Sequence, residues 1–186
     1  PHKVLDRLAA LPCPTVAVVH GHALGGGFEL ALACDHRIAV DGAKFAFPEV
    51  MLGLHPGLGG TFRLTALIDP IEAMTLMLTG KTAHTKKAKA LGIADVVTEE
   101  RHVLNAVRAA AAGKVKTRDK GLKDKALGLD MARALVARRM RTETAQRVSK
   151  EHYPAPFALI ELWEEHGGDA HAMQRGEIAS FVKLLQ

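Results

Sequence analysis

Apolar and polar positions follow two regimes along the chain: short β-branched runs in the first hundred residues, and helical spacing in the rest. Val4, Leu5, Leu8 and Leu11 recur at helical intervals, so residues 3–11 read as the end of an amphipathic helix stopped by Pro12 and Pro14. Thr15 to Val19, TVAVV, has the length and β-branched content of a buried strand. The next segment, HGHALGGG, is expected to be irregular. Phe28 to Cys34 then reads as a helix that packs Ala31 and Leu32 on a sheet. His36 to Val40 is a second strand and Lys44 to Phe47 a short third one, ended by Pro48. After the loop LGLHPGLGG, helices are predicted over 61–67 and 70–78, the second with Pro70 in its first turn and Gly80 just past its end. Thr85 to Leu91 is a further helix stopped by Gly92, followed by the strand ADVV.

Strands alternating with helices indicate an α/β core. Beyond Val103 the spacing is helical throughout, over 103–112, 128–150, 155–166 and 172–185. The polar, lysine-rich stretch 113–127 is the expected boundary between an α/β domain over 1–112 and a helical extension over 113–186. The sequence shows no internal repeat and no low-complexity tract.

Composition narrows the function classes. At 186 residues the chain suits one domain, or one domain with an appendage. Aromatics are only 4%, which leaves few stacking platforms for single-stranded nucleic acid and a core of Ala, Leu, Val and Met. The formal charge of +5 is concentrated in KVKTRDKGLKDK, Lys114 to Lys125, and in five arginines between Arg133 and Arg147. These runs read either as solvated helix surface or as an attraction for a phosphorylated ligand or acidic partner. Cys13 and Cys34 lie in apolar stretches and are expected to be buried free thiols. With no signal peptide and no membrane-spanning run, a cytosolic location is expected. The start at Pro1, directly in a helical pattern, suggests the inside of a larger domain.

The chemistry gathers around glycine-rich turns. Gly25, Gly26 and Gly27 precede a helix, where unpaired N–H groups can bind an anion or oxyanion; the competing reading is a tight turn with close strand–helix packing. The spacing fits neither a dinucleotide fingerprint nor a P-loop, and no G-x-S-x-G is present. Glu29 falls in the first turn of that helix, where interaction with the helix dipole is worth about 0.5 kcal/mol. Its neighbours Phe28, Leu30 and Ala31 are apolar, so its carboxyl must be paired or functional. Glu49, in FAFPEVMLG, is expected at the edge of a short strand, with desolvation raising its pKa into the range for proton transfer. Two such glutamates suit acid–base addition of water, one deprotonating water and the other protonating carbon. His55 to Gly60, HPGLGG, is a second place where amides could face a ligand, or else a Pro-Gly turn. The ten histidines show no H-E-x-x-H pattern, and no metal site is expected.

Taken together, PTVAVVHGHALGGGFELALACDHRIAV and FAFPEVMLGLHPGLGGTFRL resemble the crotonase, or enoyl-CoA hydratase/isomerase, superfamily, and the similarity runs on through LTGKTAHTKKAKALGIADVV. It covers roughly residues 10–100. The resemblance implies a ββα spiral, here without its first strands, with Glu29 and Glu49 as the catalytic pair. It implies that Gly26 donates one oxyanion-hole N–H and that Gly57 sits beside the catalytic water. Ala23, Leu24, Gly25 and Pro56 are carried over as substrate-binding positions. The implied reaction is reversible syn hydration of trans-2-enoyl-CoA, with a shift of a double bond as a related activity. The substrate is a coenzyme A thioester and no other cofactor is implied.

EHYPAPFALIELWEEHGG is similar to the linker after the crotonase domain of bacterial multifunctional β-oxidation α-subunits. That likeness implies self-association or association with a thiolase subunit. It also implies that NAD belongs to a dehydrogenase region outside this chain. A second oxyanion donor is expected before Pro1. The rival readings are an inactive acyl-CoA-binding or structural piece, and a crotonase-type hydrolase or isomerase.

Overall fold

A computed structural model describes residues 2–117 and 130–186. The described residues begin with α1 (His2–Ala9), β1 (Val16–Val19), β2 (His22–Leu24) and α2 (Gly26–Leu32). β3 (His36–Val40), β4 (Lys44–Ala46) and a 3-10 turn (Pro48–Leu52) follow, then α3 (Gly60–Leu67) and α4 (Pro70–Thr79). β5 (Ala83–His84), α5 (Thr85–Leu91), β6 (Val96–Thr98), a second 3-10 turn (Glu100–His102) and α6 (Val103–Ala111) complete the first part. Three helices end the chain: α7 (Asp130–Ala145), α8 (Pro154–His166) and α9 (Ala170–Leu184).

The strands form two three-stranded sheets, ordered β1-β3-β6 and β2-β4-β5. The first is wholly parallel; in the second β2 pairs parallel with β4, and β5 closes it antiparallel. The first two turns of chain each give one strand to each sheet before crossing over through helix, whereas α5 separates β5 from β6. β1–β2–α2 is one turn of a ββα spiral and β3–β4 begins the next, stacked on it in register from Val16 opposite His36 to Leu24 opposite Ala46. The repeat lies in the backbone path, without a matching sequence repeat.

The strand expectations hold with local corrections. HGHALGGG is not wholly irregular: Gly21, at φ 97°, turns the chain so that His22–Leu24 can pair with β4, and Ala23 enters the core. Glu49 does not lie at a strand edge but in the 3-10 turn, because Pro48 cannot continue the ladder and takes the turn's first position. The strand read from ADVV starts two residues later, at Val96, because Asp95 is used to hold Arg37. Cys13 is exposed and Cys34 half-buried; both are free thiols, and the expected burial of Cys13 fails because the Pro12–Pro14 turn runs along the surface. Most of the lysine-rich run and of the boundary at 113–127, and the first two residues of the 128–150 helix, lie outside the described residues.

One hydrophobic cluster joins both regions. Phe28, Phe45, Phe47, Leu64 and Met74 from the spiral share it with Ala137, Leu159, Ile160, Trp163 and Met173 from α7, α8 and α9. The Phe28 ring stacks on Phe47 at 4.7 Å between centroids and leans on Phe45 at 5.4 Å. This fastens the start of α2, which carries Glu29, to the residue that enters the 3-10 turn carrying Glu49.

A buried ion pair locks the spiral's edge. Arg37, in β3, donates through Nε to the Ile93 carbonyl at 2.9 Å and through Nη2 to Asp95 Oδ2 at 3.1 Å, while its own amide donates to the same oxygen at 2.7 Å. Arg37 and Asp95 are 3% and 5% exposed, so removing one partner strands the other in a low-dielectric interior. Asp95→Ala is expected to cost about 3–5 kcal/mol, measured as a shift in urea denaturation. A loss below about 1 kcal/mol would mean the pair behaves like a surface bridge.

Candidate active site

The site forms where two stacked turns of the spiral pass from strand to helix. After β2 the chain reverses at Gly25, whose φ of 51° suits glycine, and its N–H donates to the Ala46 carbonyl of β4 at 3.0 Å. A Cβ on Gly25 would meet Glu49 Oε1 at 2.7 Å, so a side chain there would displace that carboxylate. The two junctions are therefore in direct contact.

Glu29 is carried by the first turn of α2 and is 2% exposed. Its Oε1 accepts from the amides of Leu58 at 2.7 Å and Gly60 at 2.8 Å. Burial pushes its carboxyl above the ordinary range, and these two bonds oppose the shift by favouring the charged form. Glu49 is tuned differently. Its Oε2 is buried without a hydrogen-bond partner among the described residues. Desolvation, with the nearby charge of Glu29, pushes its pKa up to about 7.

Both carboxyls line one cavity of about 420 Å³, together with Gly26, Gly57 and Leu58. Gly26 opens α2, so its N–H has no carbonyl within the helix to donate to. Helix α9 closes the opposite wall with Ile178, Phe181 and Val182. The Phe181 ring lies so close over Gly57 that a Cβ there would meet it at 2.5 Å.

The other sequence-derived positions, Ala23, Leu24, Gly25 and Pro56, are not among the residues that line this cavity. Ala23 is buried in β2 and Leu24 points largely to solvent on the same strand. Gly25 acts through its contact with Glu49. Pro56 underlies the start of α3, where a Cβ on Gly60 would strike both Pro56 and Phe47 at 2.8 Å. One expectation is corrected: the amides of HPGLGG do not all face a ligand. Those of Leu58 and Gly60 are held by Glu29, and that of Gly59 by another carboxylate.

That carboxylate is Glu177 of α9, which the sequence reading missed. It is completely buried and accepts from the amides of Gly59 at 2.8 Å and Thr61 at 3.2 Å, and from the Thr61 hydroxyl. Desolvation pushes its pKa up to about 7 as well, although the hydrogen bonds to Thr61 and Gly59 work against the shift. His55 was also missed. Its Nδ1 lies 2.7 Å from the Pro56 carbonyl, which can only accept, so Nδ1 carries the proton and Nε2 accepts from the Ser180 hydroxyl at 2.9 Å. Burial keeps that ring neutral. For His55 the local signal was a polar side chain in a largely apolar loop, whereas Glu177 is one of several polar residues on α9 and carried none.

Among the described residues no group of three or more His, Cys, Asp or Glu is arranged to hold a metal ion, and no helix is long and apolar enough to cross a membrane.

Residues 2–149 match the family described as enoyl-CoA hydratase/isomerase. The fatty acid oxidation complex subunit alpha of Vibrio campbellii is 38% identical over 179 residues, covering 94% of this chain and 24% of the relative. The chain thus spans about a quarter of the length of the curated relatives it matches. Among solved structures, an enoyl-CoA hydratase subunit from Geobacillus kaustophilus is 30% identical with a TM-score of 0.56, over 99% of this chain and 59% of that one. An enoyl-CoA hydratase from Rhodobacter sphaeroides shares the fold, with a TM-score of 0.68 at 23% identity over 98% of this chain and 60% of that one.

The two elevated carboxyls carry a signature in the stability of the protein. A glutamate whose pKa rises from 4.5 to about 7 on folding keeps a proton that the unfolded chain has released. The stability this contributes is fully present below the unfolded value and is lost as pH rises through about 7. Glu49→Gln should therefore lessen the decline in urea-unfolding free energy between about pH 5 and about pH 8, and an unaltered decline would contradict the assignment.

Proposed function

The chain belongs to the enoyl-CoA hydratase/isomerase family, and from that premise we propose that its cavity hydrates trans-2-enoyl-CoA reversibly to 3-hydroxyacyl-CoA. The observation that carries the reading is the unequal tuning of two carboxyls on one cavity. Glu29 has two amides on Oε1 that favour its carboxylate, whereas Glu49 has an unpartnered Oε2 and a pKa of about 7. At neutral pH such a pair offers one base and one acid.

In this reading the thioester carbonyl lies against the Gly26 amide, which stabilises the negative charge that develops on oxygen as the β-carbon is attacked. Glu29 accepts a proton from water while the water oxygen bonds to the β-carbon. Glu49 gives its proton to the α-carbon as the carbon–carbon double bond becomes single. The cycle closes when the proton gained by Glu29 returns to Glu49 directly or through solvent, so the water is fully accounted for between product and enzyme. No cofactor beyond the coenzyme A thioester takes part.

The same Glu49 could carry a proton from one carbon to another, which is the isomerase variant of the chemistry. We extend to this chain the setting named by its Vibrio relative, fatty acid oxidation in a complex, with self-association or a thiolase subunit as partner.

Glu49→Gln and Glu29→Gln are each expected to lower kcat for a short trans-2-enoyl-CoA by about 100- to 10,000-fold, with KM changed far less. Wild-type kcat should fall as pH rises through about 7, because Glu49 loses the proton it must deliver. Near-normal turnover by Glu49→Gln would rule the mechanism out. Supplying 3-enoyl-CoA and saturated acyl-CoA to the wild type separates the isomerase and hydrolase readings, and silence on every substrate would favour an acyl-CoA-binding role.

A further inference from the structure

Glu177 takes no part in the chemistry above, yet it is completely buried beside the groups that do. Its placement is specific. Glu29 takes the amides of Leu58 and Gly60, and Glu177 takes the alternate amides of Gly59 and Thr61. Two carboxylates from helices 148 positions apart therefore interleave on four consecutive peptide groups. Neighbouring peptide planes share a Cα and are joined only by φ and ψ, so releasing the amide of Gly59 or Thr61 frees the torsions that orient the planes presenting Leu58 and Gly60 to Glu29.

This stretch of backbone has little stiffness of its own. It contains Gly57, Gly59 and Gly60, with Gly59 at φ 108°. The Phe47 ring and Pro56 lie close to Gly60. Glu177 holds the run through Gly59 and Thr61, with His2 Nε2 3.4 Å from its Oε1. Burial keeps the His2 imidazole below its ordinary pKa, so this is a contact with a neutral ring. Burying a carboxylate is costly, and Glu177 meets that cost with three donors from α3 and its entry loop.

We propose that Glu177 is a positioning residue of the hydratase site, holding Gly59 and Thr61 so that the amides of Leu58 and Gly60 stay aligned on Glu29. The proposal deepens the functional reading and rests on it in its kinetic arm alone. Its consequence is that α9, from the helical extension, is a working wall of the site.

The test uses the 186-residue chain with Glu177→Ala and the isosteric Glu177→Gln. Amide hydrogen exchange, read residue by residue by NMR, is expected to speed up by about ten- to a hundredfold at Leu58 and Gly60 in the alanine variant, although neither amide touches Glu177. The glutamine variant should move the same amides less, while Ala73 and Leu76 of α4 keep their wild-type rates. Hydration kcat should fall by about tenfold or more with KM within about twofold, since misorienting a catalytic group affects turnover more than binding.

Acceleration confined to Gly59 and Thr61, with kcat unmoved, would reduce Glu177 to a local cap and overturn the proposal. So would unchanged exchange at Leu58 and Gly60. If alanine prevents folding, the glutamine variant decides by the same two amides. A wild-type chain without hydratase activity would defeat the functional reading and leave the exchange result to decide this one.

Discussion

Four consecutive amides at the entry to α3, Leu58 to Thr61, are taken alternately by two buried carboxylates from different helices. The first turn of any helix leaves N–H groups without an internal acceptor, and in an interior position they must be satisfied. Here the satisfaction is supplied by charge, so the helix start, the Glu29 carboxylate and the C-terminal helix depend on one another. Gly60 must lack a side chain for this contact to form, because Phe47 and Pro56 already occupy the space. The aromatic stack of Phe28 on Phe47 then fixes the same unit to the sheets.

The spiral provides the second constraint. Successive ββα turns lie in register, so the junction after β2 and the junction after β4 fall side by side. This is why two glutamates 20 residues apart in the chain reach one cavity. Their environments then tune them differently. Amide donors on Glu29 oppose the upward shift that burial gives its carboxyl, and burial of Glu49 Oε2 without a hydrogen-bond partner goes with a pKa raised to about 7. One geometric arrangement thus gives two identical side chains different surroundings.

Much of this was readable in the sequence where the signal is local. TVAVV and HRIAV announce strands by composition, although only the second is largely buried and Val18 of the first is exposed, and Glu29 and Glu49 stand out because each is a charge among apolar neighbours. β2 was hidden, since three residues between glycines carry no periodicity. It exists only because β4 offers an edge. Glu177 was hidden for a related reason. In QRGEIASF it looks like one polar residue on an ordinary amphipathic helix, and the amides that explain it lie more than a hundred residues earlier. Whether the amides of HPGLGG face a ligand or only make a turn stayed open, because a sequence shows donors and not the long-range acceptors that reach Leu58, Gly59 and Gly60.

The proposed mechanism needs Glu49 to keep its proton up to about pH 7, well above an ordinary glutamate. Carbon-13 NMR of the glutamate side-chain carboxyls across a pH titration tests it most directly, with Glu49→Gln and Glu29→Gln spectra to assign the signals. The expected result is a Glu49 signal with its midpoint at about 7. A Glu49 carboxyl titrating near the ordinary value of about 4.3, like an exposed glutamate, would contradict it.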